Sequence, residues 1–85
     1  MNEIQKVVAL KYPSGCEAPF ISCFCRAEAA KRALQIAKEN KIPIFKDENL
    51  LNILEVQKIG DFIPEEVYSV VAEIFAFIQK IEGNN

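Results

Sequence analysis

The 85-residue chain contains no histidine, so it lacks the commonest general base of enzyme catalysis. Its cysteines, Cys16, Cys23 and Cys25, fall one short of a closed four-thiolate zinc site, and no imidazole is there to complete one. The three glycines, Gly15, Gly60 and Gly83, stand far apart and build no phosphate-cradling loop. No block of like charges marks a tail or a polybasic membrane anchor. No apolar run approaches membrane-spanning length. The N-terminus, Met1-Asn2-Glu3-Ile4-Gln5, is polar with no hydrophobic region behind it, which argues against a secretory signal. A net charge of −2 argues against a nucleic-acid surface, which is basic and clustered. Together these absences predict a non-enzymatic cytoplasmic domain with no metal, no cofactor, no nucleic-acid partner and no direct membrane insertion.

The cysteines are odd in number and fit free thiols in a reducing compartment. Cys23 and Cys25 flank Phe24 in a strand-like segment and so share a face. A nucleophilic thiol wants a base or a helix N-terminus nearby. Cys25, just ahead of a helix and beside Arg26, meets that weakly, and no candidate base accompanies it.

What the chain does hold is a hydrophobic fraction of 51%, enough for one core without staples, and residues 1–85 read as a single domain. Val7-Val8-Ala9-Leu10-Lys11-Tyr12 predicts a strand reaching back toward Ile4, apolar on both faces. Pro13-Ser14-Gly15 breaks it. Phe20 to Cys25 predicts a second strand, antiparallel to the first, with Pro19 at its entry. Arg26 to Asn40 predicts a helix. Ala30, Ala33, Leu34 and Ala37 form its apolar stripe; Ala27, Ala29 and Ile36 widen it, and Lys31, Arg32, Gln35, Lys38 and Glu39 point outward. Ile42-Pro43-Ile44-Phe45 predicts a third strand, parallel to the second by a right-handed crossover. Asp47 or Asn49 then offers a cap for a short helix holding Leu50, Leu51, Ile53 and Leu54. Val56 to Asp61 is a connection that turns at Gly60. The expected class is α/β, a small mixed β-sheet packed between α-helices.

The last helix has more apolar surface than a core requires. Pro64 suits its first turn, Glu65 and Glu66 complement its dipole, and Gly83 offers a stop. At about 100° per residue, Val67, Val70, Val71, Ile74, Phe77, Ile78 and Ile81 fall on one arc, the expected core face. Tyr68, Ala72 and Phe75 form a shoulder beside it. Either another element covers that shoulder or a partner docks there.

Several pieces match one family at the right spacing. They are Val7-Val8-Ala9-Leu10-Lys11-Tyr12, Ala18-Pro19, Lys41-Ile42-Pro43-Ile44 at the end of the helix, Asn49-Leu50, Ile59-Gly60, Ile63-Pro64-Glu65-Glu66-Val67-Tyr68 and Val71 to Phe77. Over roughly residues 2 to 81 the chain resembles the cytoplasmic C-terminal domain of FlhB, the substrate-specificity switch protein of flagellar type III export. Family members cut themselves within an Asn-Pro-Thr-His motif. The matching place here reads Asn2-Glu3-Ile4-Gln5, so the resemblance is to a stand-alone counterpart of the fragment downstream of the cut, without self-cleavage. Asn52 stands where the family has arginine, and Lys58 where it has an acidic residue. The resemblance implies partners: membrane-embedded FlhB, other export-gate proteins and export substrates, of a flagellum or an injectisome. It also implies a shallow apolar docking patch at Ala18, Pro19, Ala72 and Phe75, with Tyr68 undecided between patch and core. A regulator that binds the gate without touching substrates is the alternative.

Overall fold

The computed structural model describes residues 5–83. Two strands, β1 (Lys6–Lys11) and β2 (Phe20–Arg26), pair antiparallel, as their patterns predict. The predicted extension of β1 to Ile4 lies outside the described residues, as does the Asn2-Glu3-Ile4 stretch. The ladder is irregular between Ala9 and Leu10. Ala9 pairs with Cys23 and Leu10 with Ile21, which leaves Ser22 as the extra residue of a bulge. The Ser22 hydroxyl donates to the Ala9 carbonyl at 3.2 Å.

The outer edge of β2 is not bare. The Ile21 amide donates to Asp61 O at 2.9 Å, Gly60 donates to Ile21 O at 2.7 Å, and Ile63 donates to Pro19 O at 3.0 Å. Phe20 and Phe62 form an antiparallel bridge. The segment Gly60–Ile63 therefore seals this edge. Gly60, with φ of 94°, turns the chain into that position in a conformation glycine adopts without strain.

The predicted third strand is not formed. Ile42 to Phe45 is exposed and unpaired, so the sheet is two-stranded and antiparallel rather than mixed. The cause is local. Helix α1 (Ala27–Glu39) ends in a Schellman motif in which Lys41 takes φ of 56° and donates to Lys38 O, while Ile42 donates to Ala37 O at 2.8 Å. Ile42 thus spends its amide on the helix, and Pro43 has none to give. Asn40 closes the same end, its side-chain amide donating to Ile36 O at 2.8 Å.

The two helical layers fall on opposite faces of the sheet. Val8 and Leu10 pack against a core of Ala18, Ile21, Leu54, Ile63, Val67 and Val71. That core joins β2, α2 (Glu48–Leu54), a 3-10 turn at Glu65–Val67 and α3 (Tyr68–Gly83). By alternation Val7 and Ala9, with their partners Cys25 and Cys23, face the other way, where α1 contacts both strands. Ala30 is fully buried there and Ala33, Leu34 and Ala37 are half-buried, so the alanine stripe lets the helix lie close. The flanking Ala27, Ala29 and Ile36 remain exposed. The expected small sheet between helices is therefore the architecture found.

Of the two candidate caps for α2, Asp47 is the one used; its carboxylate accepts the Leu50 amide at 3.0 Å. Lys6 reaches Glu55 at 2.7 Å and ties the start of β1 to the end of α2. Pro64 stands one step ahead of the 3-10 turn rather than inside the helix. The stop expected at Gly83 coincides with the last residue given for α3.

Candidate functional site

The buried arc of α3 differs from the expected one. Val67 and Val71 are almost fully buried, and Ile74, Phe75 and Ile78 are half-buried. Val70 and Phe77, expected in the core, are 40% and 58% exposed. At about 100° per residue this rotates the core-facing stripe by roughly 40° toward Phe75. Ile81's side chain lies outside the described set.

Phe75 is consequently not a free surface residue. It packs against the core cluster, and its ring lies 5.7 Å from that of Tyr12, centroid to centroid, tilted by 60°. This is a favourable edge-tilted arrangement. Tyr12, just past the end of β1, is itself 51% exposed. Reading Tyr12 only as a strand residue misses this role; no periodicity of its own segment predicts a partner on α3.

Ala18 is 5% exposed and belongs to the core cluster, and Pro19 is also buried. Their side chains shape the wall beneath the surface rather than present it. Ala72 is exposed and Tyr68 is 43% exposed. The structure thus joins Ala18 to Phe75 through the shared core, and puts Tyr68, Ala72 and Phe75 at helical spacing on one flank of α3. What reaches solvent there is an aromatic strip, Tyr68, Ala72 and the Tyr12–Phe75 pair.

The thiols offer no second centre. Cys16, Cys23 and Cys25 are free and half-buried. Burial first, then the hydrogen bond and charge of Cys23, push the Cys25 thiol above its ordinary value. A raised thiol is a poorer source of thiolate at neutral pH. Among the described residues no three metal-ligating side chains cluster. No described helix is long and apolar enough to cross a membrane.

A two-stranded antiparallel sheet clasped by three helices, with an aromatic strip on the last of them, defines a small α/β domain. Comparison with known proteins gives it a family. Residues 1–78 match the FlhB HrpN YscU SpaS family, and the chain belongs to that family. It is 35% identical over 80 residues to the uncharacterized protein YlqH of Bacillus subtilis, covering 93% of this chain and 86% of YlqH. It is 29% identical over 83 residues to the flagellar biosynthetic protein FlhB of Buchnera aphidicola, covering 95% of this chain but 22% of that protein. Among solved structures, the PscU C-terminal domain superposes with a TM-score of 0.77 at 21% identity, covering 86% of this chain and 95% of the other. A mutated EscU C-terminal domain gives 0.81 at 19%, with 88% and 93% covered. These two establish the fold.

Proposed function

We propose that this chain is a non-enzymatic binding module of the type III protein export apparatus, working in the cytoplasm at the export gate. It stands in for the C-terminal part of FlhB and docks export substrates or gate components. The observation that carries this reading is the aromatic strip on α3: Tyr68 and Ala72 at the surface, continued by Tyr12 and Phe75. Membership of the family supports the setting. An apolar strip of this size gives modest, reversible affinity, as transient interfaces do.

The reading is tested with Tyr68→Ala and Ala72→Arg. Both positions are exposed, so each variant keeps its melting temperature while losing binding to export-substrate peptides in titration calorimetry. Undiminished binding in both would reject the strip as the docking surface. The burial of Ala18 and Pro19 favours a second reading, because it removes half of the implied substrate patch from the surface. In that reading the domain binds the gate and ignores substrates; capture of the gate's cytoplasmic portion without any peptide binding would select it.

A further inference from the structure

The opposite flank of α3 carries a second apolar surface. Val70, Ile74 and Phe77 form a stripe at i, i+4 and i+7, and with Phe45, Asp47 and Glu73 they line an open groove of about 440 Å³. Phe45 is 54% exposed. Ile42 and Ile44, also exposed, continue the apolar surface along the connecting segment. So much large apolar side chain in the open on a small domain marks an interaction site.

The charges around the groove indicate what it takes. Both of its polar lining residues are acidic, and neither makes an ion pair among the described residues. Asp47 already accepts the Leu50 amide through one oxygen, which leaves the other available. Around the groove Glu48 follows Asp47, Lys46 precedes it, and Lys80 follows Glu73 by two turns of α3; all three are exposed, while the charged residues of the lining itself are acidic alone. A second copy docking groove to groove would set two acidic linings face to face, which is unfavourable. A cationic partner meets no such penalty. We infer that the groove binds a basic amphipathic helix of a partner protein. Its apolar side chains lie on Val70, Ile74, Phe77 and Phe45, and its lysines or arginines pair with Asp47 and Glu73. The groove lies nearly opposite the aromatic strip across α3, since Val70 and Ala72 are about 160° apart on the helix. The domain can therefore hold two partners at once, one on each flank.

The test uses a synthetic leucine–lysine amphipathic helix as probe, with a leucine–glutamate peptide of the same pattern beside it. Amide shifts of the wild-type chain are followed by NMR. The lysine peptide shifts Phe45, Val70, Glu73, Ile74 and Phe77, and the glutamate peptide does not. Affinity for the lysine peptide falls about tenfold in Glu73→Lys and in Phe77→Ser, and weakens as salt screens the carboxylates. Equal binding of the glutamate peptide, shifts confined to the Tyr12 and Tyr68 flank, or unchanged affinity in both variants would each overturn the proposal. So would a dimer in sedimentation that Phe77→Ser abolishes, which would give the groove to a second copy. If Phe77→Ser does not fold, the wild-type shifts and Glu73→Lys decide alone.

Discussion

Replacing Ala27 by glycine should make the protein more stable, although it removes a methyl group from a helix. Ala27 is the first residue of α1 and has φ of 53°, in the left-handed region. Its amide is held there by a 2.8 Å hydrogen bond to Gln5 O. For an L-residue that conformation costs roughly 1–2 kcal/mol, and glycine adopts it freely. The methyl group is exposed, so no packing is lost. Glycine's greater freedom in the unfolded chain offsets about 0.4–1 kcal/mol. The net expectation is a gain of about 0.5–1 kcal/mol, a rise in Tm of roughly 2–8 °C for a domain of this size. Arg32→Gly is the control, since Arg32 is exposed in the middle of the same helix. There glycine costs about 0.8 kcal/mol through helix propensity alone. Urea unfolding of both variants reads opposite signs. A loss of stability in Ala27→Gly comparable to that in Arg32→Gly would refute the left-handed entry to α1.

Four other outcomes are expected. Asp47→Ala removes the cap on the Leu50 amide and lowers stability by about 1 kcal/mol in the same urea assay, while Asn49→Ala is nearly silent. Phe75→Asp puts a charge against the core and unfolds the domain by circular dichroism, a change of roughly 3 kcal/mol or more; Phe77→Asp, at an exposed site, leaves the spectrum intact. Cys25 labels slowly with iodoacetamide at neutral pH and quickly only after denaturation. Its raised folded value also means that the unfolded chain loses its proton first. The thiol's contribution is therefore fully present below its ordinary value of 9.0 and declines as pH climbs past it; Cys25→Ala flattens that alkaline decline relative to wild type.

Elements with their own period or punctuation were legible in the sequence. β1 and β2 announce themselves by short apolar runs bracketed by Pro13 and Pro19, and α1 by its alanine stripe. Asp47 and Gly60 signal a cap and a turn through their own chemistry. What escaped is made by backbone groups that carry no side-chain pattern. Gly60 to Ile63 seals β2 through main-chain bonds to Pro19 and Ile21, and nothing in Ile59-Gly60-Asp61-Phe62 alternates as a strand would. The left-handed turn at Ala27 falls on a residue that gives no hint of it. In the candidate site, helical projection separates Tyr68 and Ala72 correctly from the core. It cannot foresee that Tyr12, distant in sequence, lies against Phe75.

The two main departures, the missing third strand and the rotated face of α3, share one physical origin. A helix with apolar residues over more than half its circumference settles wherever the most area can be covered. Here the cover comes from Ile21, Leu54 and Ile63, with Tyr12 on one side, and it draws Val67, Val71 and Phe75 inward. On the other side the segment expected to widen the sheet has spent the Ile42 amide on the end of α1 and has none at Pro43. It joins no strand, and Phe45 becomes the far wall of a groove whose near wall is Val70, Ile74 and Phe77. The exposure of Val70 and Phe77 is thus the counterpart of the unpaired Ile42–Phe45 segment. If so, a change that frees that segment from the helix end should act on the groove. Lys41→Pro cannot adopt the positive φ that the Schellman motif requires, and Pro has no amide to give Lys38 O. It should therefore shift the amides of Ile44, Phe45, Val70 and Phe77 together while leaving those around Ile21 and Leu54 in place. Shifts confined to the end of α1 would show that the groove and the helix end are independent.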